Sequence, residues 1–236
     1  MHSWTSPALR CETYGVKFTT PYSQPEAYRF SLDSIEFAKW VGQSVASTAQ
    51  IDHTKLRVLD LCAGCGVIGF ELLFHLPEIR QIDFIEIQEV YRDHFAVNLR
   101  NVSDSLPRPS RDLRWVEANY TELTGAVAWR GRYDLVLCNP PYFEPQQGRR
   151  PPNNFKSRCR FFLDASFRDL LRSIKWITAP GGQAYVLIRD LHDHPHTQHM
   201  RRIELGEIWG AQGQAVAQIR GTSIYRYQAD LSEAKE

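Results

Sequence analysis

The chain has little of several features that mark specialised protein classes. It has 28 Lys plus Arg against 27 Asp plus Glu among 236 residues, and this formal charge of +1 excludes a wholly basic nucleic-acid coat protein. No uninterrupted apolar run reaches the roughly 18 residues of a membrane-spanning helix, so no membrane span is predicted. The five scattered cysteines suggest no disulfide framework and favour a reducing compartment. With 43% hydrophobic residues, the composition is that of an ordinary globular protein.

The size of the chain predicts one main domain with a short N-terminal appendage. A chain of 236 residues buries about 70% of its unfolded surface and needs no disulfide or metal for stability. Residues 1–50 are expected to form a loop and a helix that pack over a ligand site, and residues 51–236 the main domain. Residues 1–6 (MHSWTS) lack the pattern of a signal peptide, so a cytoplasmic protein is expected, with a monomer favoured.

Alternating strand and helix patterns between residues 56 and 188 predict an α/β fold. Short β-branched runs alternate there with longer helical patterns, which is typical of a mostly parallel sheet with helices on both faces. The five predicted strands are residues 56–61, 81–87, 113–117, 133–138 and 183–188. Residues 203–209 and 215–227 are candidates for two closing strands, which would make seven.

Two helices are predicted from apolar residues at three- and four-residue spacing. The first covers residues 32–45, ahead of the sheet. The second covers residues 164–177, and Pro180-Gly181-Gly182 is expected to end it.

A glycine-rich loop follows the first predicted strand. Gly64, Gly66 and Gly69 have G-x-G-x-x-G spacing before a helix, which lets the backbone turn sharply and approach a ligand closely. Glu86 ends the second strand, where a carboxylate accepts hydrogen bonds from the ribose of a dinucleotide or a nucleoside. Asp60 separates these two ligand classes, because a buried carboxylate there repels a pyrophosphate but suits an ammonium group, which S-adenosylmethionine carries. The alternative role for Asp60 is to cap a helix or turn.

Two other clusters raise a metal or redox interpretation. Cys62 and Cys65 form a C-x-x-C, but no second C-x-x-C completes a zinc site. Four histidines within residues 192–199 have a spacing that suits a divalent metal, although a solvated loop is favoured. No metal is therefore predicted.

The string Asn139-Pro140-Pro141-Tyr142-Phe143 follows the fourth strand, at the edge where open α/β sheets bind ligands. The Asn139 side-chain oxygen and the Pro140 carbonyl can each accept one N–H of a planar amine and aim its lone pair at an electrophilic methyl group. They also stabilise the positive charge that develops on the nitrogen. Tyr142 can stack on a planar substrate such as a nucleobase. The alternative is that this string is only a turn.

A basic segment follows at residues 145–163, with no acidic residue and with interleaved phenylalanines. Alone, such a run is a solvated face. Beside the catalytic edge it suits phosphate contacts and base stacking, and residues Arg108, Arg111 and Arg114 are expected to extend the same surface. Its cations, the predicted substrate contacts, are Arg149, Arg150, Lys156, Arg158 and Arg160.

Taken in order, VLDLCAGCGVIG, FIEI and DLVLCNPPYF resemble the class I S-adenosylmethionine-dependent methyltransferases that act on exocyclic or amide nitrogens. Residues 24–34 (QPEAYRFSLDS) and the basic segment are similar to bacterial tRNA (adenine-N6)-methyltransferases. The resemblance covers roughly residues 24–189 and implies a Rossmann-like fold, S-adenosylmethionine as cofactor, no metal, and tRNA as partner. The implied target is the adenine beside the anticodon of a valine tRNA, a base that is already unpaired.

Residue by residue, the resemblance assigns Asp60, Ala63 and Gly64 to the methionine part of the cofactor and Glu86 to its ribose. Ile87, next to Glu86, is also expected to contact the cofactor. Asn119 stands where this family usually has an aspartate that contacts the cofactor's adenine amine, and an asparagine oxygen can accept the same hydrogen bond. The residues implied to hold the target base are Asn139, Pro140 and Tyr142, with Asn139 also beside the cofactor.

Other functions explain parts of the same pattern. A protein glutamine-N5 methyltransferase acting on release factors presents a similar planar NH2 group, but its resemblance calls for a helical N-terminal domain that is too large for the residues here. DNA or ribosomal RNA methylation remains open, because phosphate contacts do not identify the nucleic acid. A nicotinamide-dependent oxidoreductase explains the glycine loop and Glu86 and gives NPPYF no role. A non-catalytic binding module is the last alternative.

Overall fold

A seven-stranded sheet is the centre of the computed structural model, which describes residues 21–48, 52–106, 110–147 and 149–231. The strands are β1 (Arg57–Leu61), β2 (Gln81–Glu86), β3 (Asp112–Glu117), β4 (Tyr133–Cys138), β5 (Thr178–Arg189), β6 (Gly213–Ile219) and β7 (Thr222–Gln228). Their order is β3-β2-β1-β4-β5-β7-β6. Strands β1 to β5 are parallel, and β7 runs antiparallel to β5 and β6. The prediction of a mostly parallel seven-stranded sheet is confirmed.

Helices cover both faces of this sheet and bury two separate cores. The helices are α1 (Leu32–Ala46), α2 (Val67–His75), α3 (Arg92–Ser105), α4 (Asn154–Arg160), α5 (Phe167–Ile177) and α6 (Pro195–Ile208). Apolar residues of α1, α2 and α3 pack on one face, and those of α5 and α6 pack on the other. The short α4 lies in the basic segment. No helix in the described part of the chain is both long and apolar enough to cross a membrane.

Both helices predicted from apolar spacing are present. In α1 the apolar stripe includes Ile35, Ala38 and Val41, all buried. Helix α5 starts later than predicted, because Ser166 caps it: its hydroxyl accepts from the Asp169 amide, and the Asp169 carboxylate accepts from the Ser166 amide.

Helix α5 ends at Ile177, as predicted, and Pro180-Gly181-Gly182 follows in β5, where the pairing with β4 shifts register. One prediction about the second half of the chain is wrong. Residues 203–208 are not a strand but the last turns of α6, and Trp209 is its C-cap; Leu205 and Trp209 are the buried residues of a four-residue spacing. Residues 215–227 are instead a hairpin of β6 and β7.

The strand order places a cleft beside the central strand. The chain runs outward from β1 through β2 to β3 and then returns to the other side of β1 with β4. At such a switch the loops after neighbouring strands separate and leave a crevice at their carboxyl ends. The glycine loop after β1 and the NPPYF string after β4 both lie at this point.

Candidate active site

A single pocket at the carboxyl ends of β1, β2 and β4 brings most of the predicted ligand contacts together. Ala63 and Gly64 line it from the glycine loop, and Glu86 and Ile87 line it from the end of β2. Asn119 follows β3 on the same wall. Asn139, Pro140, Pro141 and Tyr142 line it from the end of β4.

At Gly66 and Gly69 there is no room for a side chain. Gly66 has φ 83°, in the left-handed region, and a Cβ there would lie 2.6 Å from the Phe70 ring and 2.9 Å from the Phe95 ring. Gly69 in α2 faces β2, and a Cβ there would lie 2.5 Å from the Phe84 ring. These contacts let α2 begin directly against the sheet, with its first amides at the pocket.

Asp60 lies beneath the glycine loop, fully buried and outside the pocket wall. One carboxylate oxygen accepts a hydrogen bond from the Gly69 amide at 2.8 Å, which fits the alternative role of supporting the turn. Among the described residues the other oxygen, Oδ1, has no hydrogen-bond partner. Burial raises the pKa of Asp60 well above its usual value, because the charged form is poorly solvated there.

Glu86 is a pocket-lining carboxylate that backbone amides hold in place. Its two oxygens accept from the Gly64 amide and the Gln88 amide, each at 2.9 Å. Burial raises the pKa of Glu86, and these hydrogen bonds oppose the shift. The carboxylate therefore ties the glycine loop to the end of β2, and its remaining lone pairs suit paired hydroxyl groups such as those of a ribose.

The two raised pKa values predict a pH dependence of stability. An acid with a higher pKa in the folded state binds protons more tightly when folded, so stability falls as pH rises from about 3.9, the unfolded value of an aspartate, through the folded value. The slope is at most about 1.4 kcal/mol per pH unit for each group. We expect Asp60→Asn to flatten the decline in Tm between pH 5 and pH 8, measured by thermal denaturation. Asp93→Asn, at an exposed position, is the matched control. Equal slopes in wild type and Asp60→Asn would contradict this assignment.

Asn119 has its side-chain amide already engaged on the pocket wall. Its Oδ1 accepts from the Thr121 amide at 3.0 Å, and its Nδ2 donates to the Asp164 carbonyl at 3.1 Å. The oxygen keeps a second lone pair for a ligand amine. The Asn119 contact with Asp164 joins the end of β3 to the segment that follows α4.

The Asn139 side chain is oriented from both ends. Its Nδ2 donates to the Ser34 hydroxyl of α1 at 3.1 Å. This contact assigns Oδ1 as the acceptor end of the amide, which is the role that the sequence predicts for it. The Tyr142 hydroxyl donates to that Oδ1 at 2.7 Å. Burial raises the pKa of Tyr142, so its hydroxyl remains a donor. Among the described residues, the Arg189 guanidinium carbon lies 6.0 Å from the Tyr142 ring centroid.

The predicted basic segment divides into two groups. Arg158 lines the pocket and pairs with Asp164 at 2.9 Å, and the Arg160 guanidinium carbon lies 5.4 Å from the Phe143 ring centroid. Arg149, Arg150, Lys156 and Arg160 lie outside the pocket wall. Arg149 and Arg150 are exposed, and Arg150 donates to the Pro145 carbonyl. Cations are thus present both in the pocket and on the surface beside it.

The prediction that the third strand extends this basic surface is wrong for two residues. Arg111 precedes β3 at the amino end of the sheet and donates to the Pro77 and Ile79 carbonyls. Arg114 pairs within the sheet with the buried Asp83 at 2.9 Å. Both guanidinium groups therefore have internal partners away from the pocket, and Arg108 lies outside the described residues.

The metal and redox alternatives have no assembled site among the described residues, where no group of three or more potential ligands occurs. Cys65 is buried and Cys62 is half-buried, with φ 59° for Cys62 as the chain leaves β1. Of the four histidines, two precede α6 and two lie in its first turns.

Several pocket residues were not predicted individually. Tyr28 and Ser34 come from the N-terminal segment, and Tyr91 and Cys159 lie where that segment, α3 and α4 meet. The Tyr91 hydroxyl and the Cys159 thiol are 3.3 Å apart. The QPEAYRFSLDS string contains Tyr28 and Ser34 and was the available signal; nothing local marks Cys159.

The N-terminal segment is held against the glycine loop by the side chain of Asn98. Its Oδ1 accepts from the Ser23 amide at 2.6 Å, and its Nδ2 donates to the Cys65 carbonyl at 3.0 Å. The Tyr22 hydroxyl donates to Glu71 of α2 at 2.6 Å. Residues 24–34 therefore follow a fixed course over one side of the pocket.

Comparison with known proteins finds similarity to methyltransferases. Residues 42–153 match the family model described as methyltransferase small domain. A curated relative from Shewanella sp. (strain W3-18-1), named tRNA1(Val) (adenine(37)-N6)-methyltransferase, is 29% identical over 176 residues. The alignment covers 74% of this chain and 66% of the relative, so the chain spans just under two thirds of that protein's length.

Solved structures agree on the fold. An rRNA methyltransferase, AviRa from Streptomyces viridochromogenes, has a TM-score of 0.57 at 15% identity and covers 91% of this chain and 92% of its own. A T. thermophilus 16S rRNA N2 G1207 methyltransferase, solved with AdoMet and guanosine, has a TM-score of 0.55 at 15% identity, with coverages of 86% and 44%. The class I Rossmann-like fold is thereby confirmed.

Proposed function

Because residues 42–153 match a methyltransferase small domain and the chain has the Rossmann-like fold of class I methyltransferases, we propose that it methylates the exocyclic N6 of an adenine in a tRNA anticodon loop. The methyl donor is S-adenosylmethionine. The observation that carries the proposal is the position of Asn139, at the end of β4 and in the same pocket as Gly64 and Glu86. The name of the Shewanella relative supports this choice of target.

The charges of the pocket favour S-adenosylmethionine over a dinucleotide. Glu86 and Asp164 contribute carboxylates, while Arg158 is the only Lys or Arg among the described lining residues and is paired with Asp164. A pyrophosphate would meet these carboxylates with little compensation, whereas a sulfonium cation suits them. Glu86 would hold the ribose, Ala63 and Gly64 the methionine part, and Ile87 and Asn119 the adenine. Asp60 would act from beneath the loop, through its hydrogen bond to Gly69.

The cofactor supplies an electrophilic methyl group, and the residues of the chain prepare the amine that attacks it. The Asn139 Oδ1 and the Pro140 carbonyl accept the two N–H groups of the target amine, so its lone pair turns out of the base plane towards the methyl group. Tyr142 stacks on the base. The Asn139 oxygen can hold the Tyr142 hydroxyl and the amine together, since it has two lone pairs. As the N–CH3 bond forms, the S–CH3 bond would break and its electron pair would stay on a neutral thioether; the product nitrogen would then lose one proton to solvent water and return to a neutral amine.

We assign the tRNA contact to Arg149, Arg150, Lys156, Arg158 and Arg160. The members outside the pocket suit backbone phosphates, and Arg158 suits the nucleotide that enters the pocket. We further propose that the N-terminal segment, within residues 1–50, covers the cofactor site of the domain formed by residues 51–236. The protein would act as a monomer in the cytoplasm, where tRNA is modified, and size-exclusion chromatography tests the oligomeric state.

The exposed arginines predict a salt-dependent effect on tRNA binding. We expect the double variant Arg149→Gln, Arg150→Gln to raise KM for tRNA about tenfold and to lower the slope of log affinity against log salt by about 1 for each lost phosphate contact. The kcat should remain within about twofold, because neither residue lines the pocket. Arg80→Gln, exposed just before β2 at the opposite edge of the sheet, is the matched control. An unchanged slope would remove these residues from the tRNA interface.

The decisive assay is transfer of labelled methyl from S-adenosylmethionine to unmodified total tRNA, with a release factor as the parallel substrate. N6-methyladenosine in the tRNA nucleosides supports the proposal. Label in the release factor would keep the amine chemistry and replace the substrate by a protein glutamine. Label in neither would reject both substrates and direct the assay to ribosomal RNA and DNA.

A further inference from the structure

Helix α6 contributes a buried cation that reaches the backbone of the NPPYF string. Arg201 is 4% exposed, although arginine is rarely buried. Its Nη2 donates to the Tyr142 carbonyl at 2.7 Å and also contacts the Glu144 carboxylate at 3.3 Å. Burying a guanidinium costs free energy unless the group is paired and hydrogen-bonded, so these two partners hold Arg201 at this position.

Aromatic rings complete the surroundings of this guanidinium. Its central carbon lies 5.5 Å from the Phe162 ring centroid and 5.0 Å from the Phe167 ring centroid, within the range of cation–π attraction. The Phe162 amide in turn donates to the Phe143 carbonyl at 2.9 Å. Arg201 therefore connects the chain on both sides of α4 with the string that carries the target base.

A second link from α6 supports the same loop. The side chain of Gln147 is buried; its Oε1 accepts from the Glu144 amide at 2.7 Å, and its Nε2 donates to the Thr197 hydroxyl at 2.6 Å. Thr197 and Arg201 are four residues apart, so they lie on one face of α6. Two adjacent turns of one helix thus hold residues 142–147.

We propose that Arg201 is a positioning residue for methyl transfer, which fixes the Tyr142 backbone and, through the Tyr142 hydroxyl, the acceptor oxygen of Asn139. This inference rests on the proposed function. The contact chain runs from Arg201 to the Tyr142 carbonyl and from the Tyr142 hydroxyl to Asn139 Oδ1 at 2.7 Å. Without the Arg201 contact, the Tyr142 main chain is less restrained, and the Tyr142 hydroxyl then holds Asn139 Oδ1 less firmly. Because small displacements of reacting groups reduce rates strongly, we expect loss of the Arg201 contact to lower kcat.

The test compares Arg201→Met, Arg201→Lys and the neighbouring Arg202→Met, which changes an exposed residue. We expect Arg201→Met to lower kcat about 30-fold, with KM for tRNA and the Kd for S-adenosylhomocysteine within about threefold. Arg201→Lys should recover part of the loss, because a lysine can reach one acceptor but lacks the planar fork. Arg202→Met should keep the wild-type kcat. A wild-type kcat in Arg201→Met, or equal losses in kcat and cofactor affinity, would overturn the proposal.

Thr197→Val provides a variant for the case in which Arg201→Met does not fold. It removes the acceptor for Gln147 with little change in volume, and we expect a three- to tenfold lower kcat with unchanged cofactor affinity. Hydrogen exchange separates this proposal from the proposed function. Amide exchange at residues 142–147 should become faster in Arg201→Met and Thr197→Val, while exchange at residues 60–69 should stay as in wild type. If the wild type does not methylate tRNA but exchange changes in this way, the substrate is wrong and the positioning role stands. Unchanged exchange at residues 142–147 would reject the role of Arg201.

Discussion

Replacing Asn139 by alanine is expected to lower kcat for tRNA methylation by about 100- to 1,000-fold while leaving S-adenosylhomocysteine affinity within a few fold. The range is that of one preorganised hydrogen-bonding group in a catalytic site. Asn139 Oδ1 is one of two acceptors available to the target amine, and without it the amine is neither turned towards the methyl group nor stabilised as it gains charge. Single-turnover methyl transfer measures the chemical step, and isothermal titration measures the affinity.

Ser34→Ala is the graded companion of this variant. The Ser34 hydroxyl accepts a hydrogen bond from Asn139 Nδ2 at 3.1 Å. Removing this hydroxyl keeps the Asn139 Oδ1 acceptor but loosens the orientation of the Asn139 side chain. We expect a five- to tenfold lower rate, between wild type and Asn139→Ala. If Asn139→Ala retained more than about a tenth of the wild-type rate, the amine would not be activated by this side chain.

The second large effect is expected from Glu86→Gln, which should weaken S-adenosylhomocysteine binding by about 30- to 100-fold. Each Glu86 oxygen accepts a hydrogen bond of 2.9 Å from a backbone amide, one from Gly64 and one from Gln88. A glutamine of the same shape presents an NH2 group to one of these donors, so one amide loses its partner in a buried site. The ribose loses a charged acceptor as well, and charge-assisted hydrogen bonds are the stronger kind.

Glu89→Gln is the control for this change, because Glu89 is an exposed residue three positions later. It should bind S-adenosylhomocysteine as wild type does. NADH titrated against the same proteins tests the oxidoreductase alternative. Tight NADH binding that is insensitive to Glu86→Gln would remove Glu86 from the ligand site and favour a dinucleotide.

The architecture was predictable wherever a local pattern coincided with a strand or helix. Strand β4 has the bounds read from YDLVLC, because its apolar run is bounded by turn residues on both sides. Residues 203–209 were wrongly predicted as a strand, because strand-like alternation and helical spacing are hard to distinguish in so short a segment. The end of α5 was predictable, but the early start of β5 at Thr178, ahead of Pro180-Gly181-Gly182, follows from its pairing with neighbouring strands.

The pocket was predictable to the extent that its residues lie directly after strands. Gly64, Glu86 and Asn139 were found because the carboxyl ends of parallel strands share one edge. Asp60 and Arg201 required the fold. Burial beneath the loop separates Asp60 from the pocket wall, and only tertiary packing brings α6 to Tyr142.

The strand order also dictates when the pocket can exist during synthesis of the chain. Strand β1 lies between β2 and β4, so a nascent chain that ends before β4 has the glycine loop and Glu86 but no wall opposite them. Non-local pairing of this kind is slow to form, and an apolar β1 edge stays open until β4 arrives. The support from α6 comes later still. A ribosome that terminates early therefore releases a chain with an exposed strand edge, which is prone to aggregate rather than to bind cofactor.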